Sequence, residues 1–409
     1  MTTTNNSSLL FRACCIALTV TAMTFAIRAG ILNQLSVDFA LTDGQLGWVN
    51  SMAFLGFPIA MMFGGVLYNS VGAKKLLIIA FICHLVGLVL TIFAGGFWSL
   101  LISTFFIGFA NGAVEAGCNP LIAQIYKDNK TTMLNRFHVW FPGGIVIGAI
   151  ISKFMTDAGL SWQFQIAVML VPSCVYGVMV LKQEFPQFST AVASTASNIK
   201  ALLSPLFIFM VVCMTLTATS ELGTQQWIDR ILTASGASPM LIMAMITGIM
   251  AVGRYFAGAL IHRINPVGVL LSSAVITTIG LYSLSMTTGV SVYFAAILFA
   301  IGVTYFWPTM IGFIAEYVPE TGALGLSLIG GAGMFAVSIW NPIIGSWIDA
   351  GHEKAKLANL AGSDADLVAG QAVLANLTIF PALLIVAFLG LYIYMNNKKQ
   401  AVTNLASVN

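Results

Sequence analysis

A carboxylate and two amides lie at four-residue spacing in a strongly apolar part of the sequence. In "NGAVEAGCNP" (111–120), Asn111, Glu115 and Asn119 occupy positions i, i+4 and i+8, on one helical face. A charged side chain in lipid costs about 2.5–3.5 kcal/mol on insertion scales and usually faces a cavity or a partner. We therefore expect Glu115 to accept substrate hydroxyls, to carry a coupling proton, or to do both. The alternative is a neutral Glu115 hydrogen-bonded between helices.

A second pair of charges, Arg28 and Glu221, also falls inside apolar segments, 193 residues apart. We expect both to face the cavity, as an ion pair that holds one mouth shut or as a bridge to bound substrate. The alternative is that each pairs separately within its own half of the molecule. Glu221 is the second candidate for proton coupling, after Glu115.

The other candidate substrate ligands are amides, aromatic rings and one histidine. Amides both donate and accept hydrogen bonds, as sugar hydroxyls do, and aromatic faces can stack on a pyranose ring. Aromatic residues also gather at membrane interfaces, which is the plainer explanation for each ring alone. A histidine could bind a hydroxyl, shuttle protons or be structural. These candidates are His138, Trp140, Gln225, Gln226, Trp227, Tyr305, Trp307 and Asn341, the last of which could instead mark a proline kink; His84 is expected to be structural.

The composition requires that lipid surrounds most of the chain. Of 409 residues, 58% are hydrophobic and 8% are charged, against about 45–50% and 25% in soluble domains. A spanning helix needs about 20 mainly apolar residues. The predicted spans are 10–32, 45–68, 75–95, 97–124, 134–155, 161–181, 201–226, 238–262, 267–288, 291–315, 322–346 and 371–396. The sequence therefore predicts an all-α membrane protein with twelve transmembrane helices.

Basic residues in the short loops predict the orientation, because Lys and Arg collect on the cytoplasmic side. One side carries Arg12, Lys74, Lys75, Lys127, Lys130, Arg136, Lys182, Lys200, Arg263, Lys398 and Lys399. The other side carries Lys153, Arg230, Lys354 and Lys356. Both termini are therefore predicted to be cytoplasmic.

The sequence divides into two similar halves of six predicted helices. A polar linker, 182–200, separates an N-terminal half, 1–181, from a C-terminal half, 201–409. Three landmarks recur at similar offsets: Gly65 with Gly258 at 193, Pro120 with Pro308 at 188, and Asp157 with Asp349 at 192. Parallel six-helix repeats are a known transporter design, with the substrate held near the midplane between the halves.

The loop between predicted helices 2 and 3 resembles a motif of the major facilitator superfamily. In "GGVLYNSVGAKK" (64–75) the usual acidic and basic pair is replaced by Asn69 and Ser70. The stretch "GRYFAGALIHR" (253–263) resembles the equivalent loop of the second half. The resemblance implies two six-helix halves that rock around a central site. It also implies a cytoplasmic latch, for which the candidates are Gly65, Gly72, Lys74, Arg254, Arg263 and Glu316; for Lys74, the orientation rule is an equally simple explanation.

Two further stretches resemble one branch of that superfamily. "VEAGCNPLIA" (114–123) is similar to helix 4 of the fucose/galactose/glucose proton symporters. "LNRFHVWFPGG" (134–144) is similar to helix 5 of those symporters and of related sodium-linked glucose carriers. By this resemblance Glu115 matches the helix 4 carboxylate of the symporters. One departure is Ala29, which stands where the fucose carriers have an acidic residue late in helix 1.

These observations together predict a secondary transporter and no enzyme. There is no phosphate-binding Walker loop, no metal-ligand cluster and no nucleic-acid patch, and we expect no cofactor and no disulfide. The expected cargo is a monosaccharide taken up by proton symport, with sodium coupling as an alternative. An exporter or antiporter of drug-like compounds, an organic-anion carrier and a non-transporting sensor remain open. The expected location is a bacterial inner membrane, and a monomer would suffice for the mechanism.

Overall fold

The computed structural model describes residues 2–126, 133, 136–186 and 200–406, and this part of the chain is helical with no strand. Its membrane helices follow the predicted order. They are α1 (Asn6–Gly30), α2 (Asp43–Gly65), α3 (Ser70–Ile92), α4 (Phe97–Ile122), α5 (Arg136–Asp157), α6 (Trp162–Lys182), α7 (Pro205–Gln226), α8 (Pro239–Tyr255), α9 (Arg263–Leu284), α10 (Ser291–Ile314), α11 (Ser327–Leu357) and α12 (Ser363–Asn397). Lys127, Lys130 and most of the predicted linker lie outside the described residues.

Eleven of these helices are long and apolar enough to cross a membrane, and α8 is shorter. The predicted eighth span extends to residue 262, but the helix ends at Tyr255 because Phe256 leaves helical geometry, with φ −95° and ψ 5°. In the other direction, α11 continues to Leu357, about three turns of helix beyond its predicted end. The chain is a multi-pass membrane protein of two six-helix halves.

The two halves share a kink at equivalent positions. Gly72 bends the chain near the start of α3 with φ +80°, and Asn265 bends it near the start of α9 with φ +57°. These residues are 193 apart, which is the offset seen between Gly65 and Gly258 in the sequence. Asn is the residue other than Gly that most readily tolerates left-handed backbone. The Asn265 side chain also accepts a hydrogen bond from the Gly268 amide at 2.9 Å and so caps α9.

Glycines let α2 and α4 pack backbone against backbone. A Cβ on Gly108 would lie 2.2 Å from the Ala53 carbonyl oxygen, and one on Gly56 would lie 2.6 Å from that of Phe105. Small residues at such crossings are the usual way to join helices in lipid, where no hydrophobic effect drives association. This contact builds much of the N-terminal half and fixes the helix that carries Glu115.

The halves meet along α2 and α11, which run antiparallel. Gly345 lies against the Asp43 backbone, Ser51 bonds to Ser338 at 2.8 Å, and Gly331 approaches Pro58. Beyond Pro58, a Cβ on Gly65 would have no described atom within 4 Å. The end of the bundle that these contacts close is here called the Asp43 end, and the opposite end is called the Gly65 end.

Candidate functional site

A forked ion pair between the halves closes the Asp43 end. Arg230, just after α7, donates from Nε and Nη2 to the two carboxylate oxygens of Asp43, at 2.7 and 3.0 Å. Its Nη1 donates to Asn33 Oδ1 at 3.1 Å, and Asn33 Nδ2 donates to Asp229 Oδ2 at 2.6 Å. Bidentate guanidinium–carboxylate pairs are among the stronger polar contacts in proteins. Both halves contribute residues to each of these contacts.

The start of α2 is held by a carboxylate from the opposite half. Asp349 on α11 accepts the backbone N–H groups of Asp43 and Gly44 at 3.0 and 2.8 Å. The first amides of a helix lack intrahelical acceptors and carry partial positive charge, so a carboxylate is favourable there. His352 adds a link, with Nε2 2.9 Å from Asp366 Oδ1 and Nδ1 3.7 Å from Asp43 Oδ2.

Two groups of this network that lie outside the membrane helices have shifted pKa values. Burial raises the pKa of Asp229 to about 7, against the opposing effects of its Asn33 hydrogen bond and of Arg230. For Arg230, burial works to lower the pKa, but hydrogen bonding and attraction to Asp43 outweigh it and raise the pKa above its ordinary value. Closure at this end thus stabilises the charge on Arg230 and disfavours the charge on Asp229.

The Arg28 side chain lies on the next layer inward. Its Nη2 donates to Gln226 Oε1 at 2.5 Å, which joins α1 to α7 across the halves. The guanidinium lies over the rings of Phe25 and Phe54, 5.2 and 5.5 Å from their centroids. Its Nε and Nη1 are buried without a hydrogen-bond partner, and within the described residues no carboxylate pairs with it.

An apolar cluster lies against Arg28 and is shared by the two halves. It brings together Phe25, Phe54, Phe57, Ala218, Leu222, Met334 and Val337 from α1, α2, α7 and α11. Phe141 and Trp307 pack at its partly buried rim. This cluster, here called the plug, fills the interface between the halves one helical turn from Arg28.

Glu221 lies in a turn of wider helix within α7. Residues Thr219–Gly223 form a π-helical turn, a rare feature that is frequent at functional sites. Glu221 Oε1 accepts from Arg254 Nη2 at 3.1 Å, and Arg254 Nε donates to the Thr304 carbonyl at 3.0 Å. The direct Arg28–Glu221 pair is therefore wrong for this conformation, because each partner is engaged elsewhere. Arg254, expected in the latch, instead belongs to the Glu221 site.

The predicted stripe on α4 divides into two environments. Asn119 Nδ2 donates to Glu115 Oε2 at 2.8 Å, and both side chains are half-buried. Asn111, one turn before Glu115, is fully buried between helices of the N-terminal half. The structure thus brings Glu115 and Asn119 together and separates Asn111 from them.

Asn111 belongs to a neutral hydrogen-bonded network that links four helices. Its Oδ1 is 2.8 Å from His84 Nε2, and its Nδ2 donates to Thr24 at 2.9 Å. His84 Nδ1 is 2.8 Å from the Tyr176 hydroxyl. Because the Asn111 oxygen can only accept, His84 donates from Nε2 and accepts from Tyr176. Both Asn111 and His84 are structural here, so placing Asn111 on the substrate path is wrong for this conformation.

The remaining candidate ligands fall into three environments. The Trp227 ring is fully buried and donates from Nε1 to Asn341 Oδ1 at 3.0 Å, while Gln225 contacts the Met250 sulfur at 3.6 Å. Tyr305 and Trp307 are half-buried. His138 and Trp140 are exposed at the start of α5, and Trp140 shares an exposed apolar stripe with Ile147 and Phe154. The exposure of Trp140 does not place it at a binding site, and its role at the substrate stays a prediction.

The family is settled by a match over most of the chain. Residues 14–341 match the family model of the Major Facilitator Superfamily. The chain belongs to the Major Facilitator Superfamily. Its fold and its family are those of transporters.

The similar curated proteins are transporters of several solutes. The chain is 27% identical over 165 residues to the D-xylose transporter of Levilactobacillus brevis. The aligned region covers 40% of this chain and 36% of that one. It is 25% identical over 197 residues to the hexuronate transporter of Bacillus subtilis, covering 44% and 46%. It is 22% identical over 160 residues to the arabinose-proton symporter of Escherichia coli, covering 39% and 34%. The chain thus spans about half or less of these superfamily members.

Solved structures match over nearly the full chain. A bacterial homolog of the human lysosomal transporter Spinster, inward-facing and unoccupied, has a TM-score of 0.76 at 14% identity and covers 94% of this chain and 96% of that one. The D-xylose-proton symporter gives 0.74 at 14%, covering 91% and 96%. The Escherichia coli fucose:proton symporter gives 0.57 at 15%, covering 91% and 98%. These likenesses show the major facilitator fold.

The predicted latch of this superfamily member does not join the halves in this conformation. Lys74 Nζ donates to the carbonyls of Leu181 and Gln183 at 3.3 and 2.8 Å, within the N-terminal half. Arg263 and Glu316 are exposed. A Cβ on Gly72, as on Gly65, would meet no atom within 4 Å. These positions lie at the Gly65 end, and their latch role stays a prediction.

Sequence reasoning missed the most connected part of this major facilitator protein, the Asp43-end network. Its members are Asn33, Asp43, Asp229, Arg230, Asp349, His352 and Asp366. Two signals were present. The repeated Asp-Ala-Gly contains Asp349, and "TDGQ" (42–45) has the pattern of a helix-capping box, which Thr42 and Gln45 form. Neither signal shows that the two segments meet, because only the packing of the halves brings them together.

Proposed function

We propose that this major facilitator protein is a secondary active transporter of a monosaccharide-sized polar solute, working by alternating access with proton symport. The observation that carries the proposal is the asymmetry of the interface. Charged contacts from both halves close the Asp43 end, while at the opposite end of α2 a Cβ on Gly65 would meet no described atom within 4 Å. Alternating access requires contacts of this kind, which can form at one end and break as the other end closes.

The orientation follows from the basic loops and stays part of the proposal. Lys74 and Arg263 lie at the Gly65 end, so that end is cytoplasmic, as are both termini. The conformation described is then open to the cytoplasm. We place the protein in a bacterial inner membrane as a monomer. Its N-terminal half is 1–181, its cytoplasmic linker is 182–200 and its C-terminal half is 201–409.

Sugar-like cargo is supported by the chemistry of the interface and by the relatives. Half-buried carboxylate and amide groups at Glu115 and Asn119 can accept and donate to hydroxyls, and Trp307 offers an aromatic face at the rim of the plug. A D-xylose transporter and an arabinose-proton symporter are among the similar proteins. A small polyhydroxylated solute fits this combination better than a drug-like compound, which would need a mostly apolar cavity.

Two carboxylates are proposed for proton coupling. Glu115 is half-buried at the level where the open side begins, and Glu221 is buried against Arg254. A carboxylate whose surroundings differ between the two conformations can take up a proton on one side and release it on the other. Glu115 is our first choice because its hydrogen-bond partner Asn119 carries no charge.

Uptake into proteoliposomes tests the proposal. Labelled monosaccharides are offered with and without an inward proton gradient, and again with a sodium gradient, to the wild type and to Glu115→Gln. We expect gradient-driven accumulation by the wild type, and exchange without accumulation by the variant. Movement of no sugar by folded, inserted protein under any gradient overturns the sugar assignment. Accumulation by the variant equal to that of the wild type overturns the role of Glu115.

A further inference from the structure

We propose that the transported solute carries a carboxylate and that Arg28 binds it, so that the cargo is a sugar acid such as a uronate or an aldonate. This inference rests on the transport function proposed above and specifies its substrate class. It begins from the Arg28 guanidinium, which is 6% exposed and has no carboxylate partner within the described residues.

The contacts of Arg28 leave its charge poorly compensated. Removing an ion from water costs several kcal/mol even after relaxation. The faces of the Phe25 and Phe54 rings attract the guanidinium and offset part of this cost. Gln226 accepts from one nitrogen only, and the other two nitrogens have no acceptor. A buried guanidinium in this state is suited to a ligand with two adjacent anionic oxygens.

Other unpartnered groups lie in the same interface and are mostly donors. Asn50 on α2 has both amide atoms buried without a partner, and the Asn341 amide nitrogen on α11 is also unpartnered. The backbone of Asn341 lies against Gly47, one turn from Asn50, so both amides are at one level of the α2–α11 contact. With Arg28, these residues offer several donors and one free acceptor. A polyhydroxylated carboxylate supplies acceptors for this set.

The charge count favours a single carboxylate. Among the described residues Arg28 pairs with no acid, whereas Arg254 is neutralised by Glu221 and Arg230 by Asp43. One uncompensated cation matches a monoanion. A neutral sugar would leave the charge of Arg28 uncompensated, and a dianionic phosphate would need a second cation.

The structure also explains how the solute would leave Arg28. The small cavity that Arg28 lines holds about 20 Å³, room for about one water molecule and none for a sugar acid. The plug covers Arg28 on one side and the Asp43-end network covers it on the other. Arg28 is therefore open to solute only when the Asp43 end opens. When that end closes, Gln226 replaces the carboxylate as the acceptor.

Competition and uptake measurements test this inference. Proteoliposomes with the full chain take up labelled D-glucuronate and D-gluconate, in parallel with D-glucose, the matched neutral sugar. We expect the wild type to prefer an acid over glucose by about tenfold or more, as expected for loss of one charge-assisted pair. Arg28→Gln should remove the preference, and Arg28→Lys should retain part of it.

The control variant is Lys153→Gln, which removes a cation that already pairs with Asp157 at the end of α5. It should keep the preference of the wild type. Wild-type transport of glucose with no effect of either acid overturns the carboxylate inference and leaves the transport function standing. Transport of none of the three compounds or other monosaccharides overturns both. If Arg28→Gln unfolds in detergent, competition on the wild type alone still decides the question.

Discussion

Two buried polar networks in this molecule differ in charge and in what they connect. The His84 network links α1, α3, α4 and α6 within one half and contains only neutral groups. The Asp43-end network joins opposite halves through ion pairs with partly exposed members. Neutral contacts buried from water give a permanent structure, since breaking them leaves polar groups unsatisfied. Charged groups near the surface can be rehydrated when separated, which suits contacts that must break in each cycle.

The largest effect should follow from breaking the permanent network. His84→Ala leaves the Tyr176 hydroxyl and the Asn111 carbonyl unsatisfied and opens a cavity in a fully buried position. We expect a loss of about 2–4 kcal/mol in stability, measured as a lower melting temperature in detergent.

The comparison also predicts what His84→Ala leaves unchanged. The ratio of closed to open Asp43 end should stay near that of the wild type, because all four helices of the network move with one half. His84→Gln, which can still donate and accept, should recover part of the stability. A large change in that ratio without loss of stability would contradict the division into permanent and breakable networks.

A smaller and different effect is expected from Arg230→Gln. Loss of the fork leaves the Asp43 carboxylate, which is 1% exposed, without its main partner. We expect the closed Asp43 end to lose about 2 kcal/mol, less than for a fully buried pair because Arg230 is partly exposed.

The weaker closure of the Asp43 end should appear in the accessibility of a cysteine in the interface and not in the melting temperature. Ser51 and Ser338 bond to each other in the closed interface, so a Ser51→Cys reporter, with the six native cysteines replaced, becomes reactive only when it opens. Labelling by an impermeant maleimide should rise about tenfold or more with Arg230→Gln. Lys153→Gln is the matched loss of a cation and should leave labelling unchanged.

The sequence predicts the scaffold of both networks better than it predicts their contacts. Composition and hydropathy locate twelve helices, because each must satisfy its backbone within lipid. Helical spacing places Glu115 with Asn119, since that pair depends on one helix alone. It fails for Asn111, because the packing of α1, α3 and α6 decides where that face points. Gln226 and Arg28 are each identified, but their contact depends on how two separately folded halves meet.

A π-helical turn explains another error. A uniform α-helix fixes the direction of each side chain from its spacing, but the wider turn at Thr219–Gly223 changes the direction of the side chains that follow. Glu221 then reaches Arg254 on α8 and leaves Arg28 to Gln226. No feature of "TSELG" (219–223) marks such a turn, so the pairing could not be derived from spacing.

The smallest expected effect is the pH dependence of closure at the Asp43 end, and it again distinguishes the charged network from the neutral one. Asp229 has a pKa raised to about 7 in the closed Asp43 end by burial, against about 3.9 for a solvated Asp. Closure therefore takes up a proton when the pH lies between these values. The closed form is fully stable below about pH 4, loses stability as pH rises, and is unaffected by further rise above about 7.

We expect Ser51→Cys labelling to increase between pH 5 and 7 by about tenfold, less than the pKa difference alone implies because Asp229 is only half-buried. The measurement uses a His352→Gln background, so that the network contains no histidine. Maleimide reactivity itself changes with pH, so labelling is normalised to the same cysteine in unfolded protein. Asp229→Asn should give pH-independent labelling. If the slope persists in that variant, another group couples protons to closure, and Asp43 and Asp366 are the acids of this network to change next.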